Sequence, residues 1–448
     1  MRGLLNAAAE RALRYLETLD DRSVAPGAEA IRRLSDLGGP LQEAPMDPEK
    51  VLALLDDIGS PATVATAGRR YFGFVIGGAL PAAVAANWLA GAWDQNAGSS
   101  VASPVAIALE TTAVRWLARA LPVPDDSFGA FVTGTTMANF AGLAAARHAV
   151  LAEAGWDVEA KGLFGAPEIT VVVGAEAHAS LYRAIGLAGF GRERVTVVPV
   201  DGQGAMRPDA FPRVDGPAIV CLQAGNVNTG AFDPAGEICA KARAAGAWVH
   251  VDGAFGLWAG VAPARAHLVD GYEAADSWAT DAHKWLNVPY DSGLILTRRP
   301  DALHAAMAMS ASYLPPSDAG DPMYYTPEAS RRARGIEAWA ALKSLGRSGL
   351  ADLVERNCRY AARFAAGLRK AGFSVLNDVE LNQVLVAFGD DEATRRVIKG
   401  IQDDGTCWCG GTVWRGKAAM RISVSSWATT EEDVDRSLDA MIRVASVG

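Results

Sequence analysis

Short apolar runs, each closed by a small or polar turn and followed by a longer Ala-rich stretch, recur from about residue 130 to residue 300. The runs are FGAFVTG, EITVVVGAEAH, VTVVPVD, AIVCLQAG, AWVHVDGAFG, SWATDAHKW and SGLILTRR. They lack the two-residue alternation of a sheet with one wet face. Helical candidates such as MANFAGLAAARHAVLAEAG, SLYRAIGLAG and PAGEICAKARAAG separate them. Strands buried on both faces and alternating with helices predict an α/β domain with a mostly parallel sheet flanked by helices, over residues 61–310.

The flanks read differently. Residues 1–60 are expected to form a helical segment, opening with an amphipathic helix in which Leu4, Leu5, Ala8, Leu13 and Leu16 recur at helical spacing; it is not a signal peptide. FVIGGALPAAVAANWLAGAW (74–93) is apolar enough to be weighed as a membrane span. Pro81, Asn87 and its glycines argue instead for a buried helix entered through a loop. Residues 311–345 hold a loop rich in Pro and Gly (Pro315, Pro316, Gly320, Pro322, Pro327), which excludes a regular element, and a connecting helix from about Gly335 to Ala365. Residues 346–448 read as a smaller α+β domain, with strands in FSVLNDVELNQVLVAF and AAMRISVSSW. A last helix has its start marked by Thr429 or Thr430 with acids behind it.

The net charge of −9 argues against a nucleic-acid surface, which needs clustered Lys and Arg. Five cysteines, an odd number, give no disulfide framework and suggest a reducing, cytoplasmic setting. Cys407 and Cys409 form C-x-C with no second ligand pair nearby, so no metal is expected.

In wound α/β sheets ligands collect beyond the carboxyl ends of the strands, and the polar residues of interest fall there. Gly134, Thr135 and Thr136 follow a strand and open a helix, where backbone N–H groups and hydroxyls suit a phosphate; a plain Thr cap is the alternative. No dinucleotide fingerprint or P-loop is present. His178 follows the second strand. Asp252 ends the fifth, where an acid is costly without a cation. Lys284, in DAHKW, closes the sixth. A phosphate cradle, a buried acid, a flat ring and a buried lysine together suit one ligand, pyridoxal 5'-phosphate.

The ordered set ASP (102–104), TGTTMAN, AEAHAS, QAGNVNTGAFDP, HVDGAFG, DAHKWLN and MRISVSSW resembles the group II pyridoxal-phosphate-dependent amino-acid decarboxylases, from about Tyr71 to the carboxy terminus. The resemblance implies a fold-type-I transferase fold with a seven-stranded sheet, a homodimer and decarboxylation of an L-amino acid to the amine and carbon dioxide. It implies that Lys284 forms the Schiff base, Asp252 holds the ring nitrogen protonated, and His178 and Ala254 meet the two ring faces. Gly134, Thr135, Thr136 and His283 would hold the phosphate, Asn226 would lie near the ring, and Arg421 would bind the substrate carboxylate. A loop tyrosine would supply a proton; Tyr313, Tyr324 and Tyr325 compete and Tyr324 is preferred. Asp281 departs from the family's usual asparagine, and Ala282 from its proline. The segment with Phe74 and Trp93 would line the pocket and leans toward an apolar or aromatic substrate. Related outcomes are aldehyde formation, carbon–carbon lysis, or a non-catalytic scaffold of the same fold.

Overall fold

The structure, a computed structural model, describes residues 1–310, 312 and 320–447. It divides into two compact units.

The larger unit comprises residues 77–362 and 377–384. Each of the seven apolar runs forms a strand: β1 (Phe128–Val132), β2 (Thr170–Gly174), β3 (Thr196–Val198), β4 (Ala218–Gln223), β5 (Trp248–Asp252), β6 (Ser277–Asp281) and β7 (Gly293–Thr297). They make one sheet in the order β1-β7-β6-β5-β4-β2-β3, in which β7 alone runs antiparallel to its neighbours. Every residue of β5, β6 and β7 is buried, as strands covered on both faces require.

The helix Thr135–Glu153 lies close on this sheet because its inner face is small: Ala138, Ala141, Ala145 and Gly142. A Cβ on Gly142 would come within 2.5 Å of the His250 ring, so only glycine lets the helix pass there. Large rings fill the rest, with their polar atoms satisfied. Trp258 donates to Asp281 O (3.1 Å), Trp278 to Tyr272 O (2.9 Å) and Trp285 to Asn357 Oδ1 (2.9 Å).

The helix Pro81–Trp93 is entered through a loop, as expected, but it is not buried. Only Ala83 is enclosed, while Trp88, Leu89 and Trp93 are 45%, 55% and 43% exposed. A segment apolar all round carries no signal for which face has a partner within its own chain.

The smaller unit comprises residues 1–76, 363–376 and 385–448. The amino-terminal segment therefore groups with the carboxy-terminal residues instead of standing apart. Val24 N–H donates to Gly405 O (2.9 Å), Arg70 Nε to Thr406 O (2.8 Å) and Phe72 N–H to Trp408 O (2.9 Å). The expected amphipathic helix is Arg2–Glu17, and none of its residues is buried. The long helix spans Gly335–Lys370, broken at Gly346 (φ 62°, ψ −176°), and the division between units falls inside it after Ala362, not at residue 346.

A second sheet has the order β10-β11-β9-β8, built from β8 (Ser374–Val375), β9 (Gln383–Ala387), β10 (Gly410–Trp414) and β11 (Lys417–Ser423). β10 and the helix Asp391–Asp404 were not read from the sequence. The last helix, Glu431–Val447, opens with a capping box: Asp433 N–H donates to Thr430 Oγ1 (3.3 Å) and Thr430 N–H to Asp433 Oδ2 (3.0 Å).

Candidate active site

Three segments at one end of the large sheet bring its polar residues together. β5 ends in Asp252, buried, which accepts from Asn139 Nδ2 (3.0 Å) and from Ala254 N–H (3.3 Å). Next to it β6, in register Asp252↔Ala279, ends in Asp281 and turns through His283 to Lys284. β1 leads into Gly134 and the amino terminus of the helix Thr135–Glu153.

Asp281 is the hub. Its Oδ2 lies 3.0 Å from Lys284 Nζ, its Oδ1 accepts from Thr135 N–H at 2.7 Å, and His283 Nε2 stands 3.6 Å from Oδ1. Burial opposes its charge, but Lys284, His283 and the Thr135 bond outweigh burial and hold the carboxyl below its usual range. Burial pushes His283 down, against the pull of Asp281. His283 Nδ1 accepts from Ser292 N–H (3.0 Å), so the neutral ring carries its hydrogen on Nε2, on the side of Asp281. Tyr290 stacks on that ring at 4.2 Å.

This arrangement fits pyridoxal phosphate. Thr135 Oγ1 is buried without a partner among the described residues, at a helix amino terminus where a phosphate oxygen would satisfy it. Backbone closes tightly around that point: a Cβ on Gly293 would lie 2.4 Å from Gly134 Cα, and one on Gly134 would lie 3.2 Å from His283 Cε1. Lys284 supplies the amine and Asp252 an acid on the adjacent strand.

The remaining expected residues have varied placements. His178 caps the helix Ala179–Leu187, its Nδ1 accepting from Ser180 N–H (3.2 Å) just beyond β2. Asn226 is engaged in its own loop: Oδ1 accepts from Asn228 and Thr229 N–H, and Nδ2 donates to Gln223 Oε1 (3.1 Å). Thr136 is half-buried beside Thr135. Trp93 ends an exposed helix. Phe74 and Arg421 belong to the smaller unit. There Phe74, 58% exposed with φ 53°, sits 5.6 Å from the Trp408 ring, which stacks on Tyr71 at 5.0 Å. Arg421 pairs with Gly410 across β10 and β11, and burial draws its guanidinium below the usual value while Tyr71 opposes that shift.

Tyr324 and Tyr325 are buried in the apolar core, Tyr325 4.2 Å from Phe128 and both near the His304 ring. Phe128 is aligned through Thr297 with Ser277, the opposite end of β6 from Asp281. A ring so placed is held by burial, away from Lys284. Tyr313 lies outside the described residues. One residue was missed: Asn139, whose only sequence signal is a lone amide in an Ala-rich helix.

The model of the pyridoxal-dependent decarboxylase conserved domain matches residues 40–389. Tryptophan decarboxylase 1 of Oryza sativa subsp. japonica is 26% identical, the alignment covering 97% of this chain and 91% of that protein. An acidic amino acid decarboxylase of Mus musculus is 28% identical over 80% of this chain and 66% of its own. The crystal structure of Oryza sativa TDC with PLP and tryptamine superposes with a TM-score of 0.90 at 23% identity, covering 100% of this chain and 97% of that one, a likeness of fold. Among the described residues no helix is long and apolar enough to cross a membrane, and no cluster of side chains could hold a metal ion.

Proposed function

Because this chain belongs to the pyridoxal-dependent decarboxylase family, we propose a residue-level assignment of its site and an aromatic or apolar L-amino acid as its substrate. It is a pyridoxal-phosphate-dependent amino-acid decarboxylase of fold type I. Bound pyridoxal phosphate supplies a carbonyl for the amino group and a conjugated cationic ring that accepts an electron pair.

The chain's own residues do the rest. Lys284 would hold the cofactor through its side-chain amine, which the substrate's amino group would replace. Asp252 holds the proton on the ring nitrogen. Thr135, Thr136 and His283 hold the phosphate at the helix amino terminus, and His178 and Ala254 bound the ring. Arg421 binds the substrate carboxylate. The Cα–carboxylate bond breaks, carbon dioxide leaves, the bonding pair stays with Cα, and one proton replaces the lost carboxylate. With Tyr324 and Tyr325 packed into the core, Tyr313 is the loop tyrosine assigned to deliver that proton.

The observation that carries this reading is the convergence of Asp252, Lys284 and the unpartnered Thr135 hydroxyl at adjoining strand ends. The similarity to a tryptophan decarboxylase supports the substrate class. Incubating the holoprotein with L-tryptophan, L-tyrosine, L-phenylalanine and L-glutamate should release carbon dioxide and amine from an aromatic member. Release from glutamate alone would overturn the substrate class, and aldehyde with peroxide would replace amine formation as the outcome.

The same reading extends to a homodimer and a cytoplasmic setting. Trp88, Leu89 and Trp93 on one helix, and Leu5, Leu13 and Leu16 on another, are apolar and exposed, as surfaces awaiting a second copy are. All five cysteines are free and buried, which suits a reducing compartment. Sedimentation giving a monomer at micromolar concentration would remove the dimer.

A further inference from the structure

Behind Asp252 lies a line of buried polar groups that decarboxylation itself does not call for. Asn139, on the helix Thr135–Glu153, donates from Nδ2 to Asp252 Oδ2 (3.0 Å), and its Oδ1 lies 3.0 Å from His250 Nε2. His250 Nδ1 lies 2.8 Å from Ser277 Oγ, which also accepts from Trp248 Nε1 (2.9 Å). Asn139, His250 and Ser277 are wholly buried, and β5 and β6 set His250 directly against Ser277. Gly142, one helical turn from Asn139, leaves room for the imidazole.

The proton positions in this line follow from its ends. An indole N–H can only donate, so Ser277 Oγ accepts from Trp248. Among the described residues the Ser277 hydroxyl hydrogen has one acceptor in reach, His250 Nδ1, which places the imidazole hydrogen on Nε2. Nε2–H then donates to Asn139 Oδ1, and the Asn139 amide must turn its NH2 toward Asp252. Reversing the amide would aim its oxygen at the carboxylate and strand the serine hydrogen in the core. Burial pushes His250 down to about 3, so the ring stays neutral and the direction of the line is kept. Asp252 thus accepts at both oxygens.

We propose that Asn139, with His250, Ser277 and Trp248 behind it, is a positioning residue that orients Asp252 toward the ring nitrogen of pyridoxal phosphate. This inference rests on the assignment of Asp252 to that nitrogen.

The test compares two compounds, pyridoxal phosphate and its carbocyclic analogue with CH in place of the ring nitrogen. Apoprotein of the wild type, Asp252→Ala, Asn139→Ala and Ser277→Ala is titrated with each, and thermal melting establishes that each variant is folded. The wild type should prefer the nitrogen-bearing compound, and Asp252→Ala should abolish that preference. Asn139→Ala should reduce it roughly tenfold, the worth of one hydrogen bond to a charged group, through weaker binding of pyridoxal phosphate alone. Ser277→Ala should move it the same way by less, and it decides the matter if Asn139→Ala does not fold. Wild-type preference in both relay variants, or equal weakening toward both compounds, overturns the relay and leaves Asp252 in place. An undiminished preference in Asp252→Ala overturns the Asp252 assignment itself.

Discussion

The two ends of the large sheet are built from the same strands and hold opposite kinds of matter. At the carboxyl ends of β5 and β6, Asp252, Asp281, His283 and Lys284 are buried or nearly so and interlocked with Thr135 and Asn139. At the other end, Phe128, Tyr324, Tyr325 and His304 form a seal of packed rings. Strand burial is similar at both, so hydrophobicity alone does not separate them. The separation comes from chain direction, because parallel strands deliver their following loops, and the amino termini of the next helices, to one end only. A polar residue that closes a strand is therefore a candidate for chemistry, and a polar ring at the opposite end is a candidate for packing.

The largest effect expected from this contrast is at Lys284. Lys284→Ala should lower amine production by roughly a thousandfold or more, since the covalent attachment has no substitute. Borohydride treatment of the holoprotein should leave a reduced adduct on the Lys284 peptide by mass, and none in the variant. Retained turnover in the variant would move the chemistry away from this end of the sheet.

The tyrosines set the two ends directly against each other. Tyr313→Phe should lower amine formation by about a hundredfold, within the range of a lost general acid, with cofactor affinity unchanged. Tyr324→Phe should leave turnover within about twofold of wild type and act on melting temperature instead. The reverse ranking would mean that the seal opens during turnover.

Asp281 sharpens what the polar end tolerates. It puts a carboxylate where the helix amino terminus should receive a phosphate, and takes the Thr135 N–H for itself. Asp281→Asn keeps an acceptor for that N–H and removes the charge. The preference of apoprotein for pyridoxal phosphate over pyridoxal should therefore rise about tenfold, as the loss of one nearby like charge in a partly screened site implies. An unchanged or lower preference would show that the carboxylate orders the cradle more than it repels the ligand.

Much of this division was legible in the sequence. All seven large-sheet strands announced themselves as apolar runs closed by turns, and Asp252, Lys284, Thr135 and His178 were visible as strand-closing polar residues. Three features were not. β10 (GGTVW) is glycine-rich and largely unburied, so alternation is faint. The helix Pro81–Trp93 reads as core because composition does not report which of its faces is covered. The placement of the Tyr324 and Tyr325 rings was not legible because loop spacing locates a residue along the chain and says nothing of which end of a sheet its ring will pack against.

The last expected effect is read in stability and concerns two buried titratable groups of the larger unit. His250 is held neutral, its value pushed by burial to about 3. Asp233, beyond β4, accepts from Met206 N–H (2.6 Å) and Gln223 N–H (2.7 Å), yet burial outweighs those bonds and raises it to about 6. From pH 6 to 4 the unfolded chain protonates its histidine while the folded His250 does not, so acidification costs stability. Over the same interval the folded Asp233 takes up a proton that the unfolded aspartate does not, so acidification restores it. Each slope is about 1.4 kcal/mol per pH unit, and the two nearly cancel. Asp233→Asn removes the compensating slope. In urea unfolding of apoprotein it should lose stability steadily from pH 6 to 4, relative to wild type over the same range. Parallel profiles for the two proteins would mean that Asp233 is ionised throughout and that its two backbone donors, not burial, govern this corner of the site.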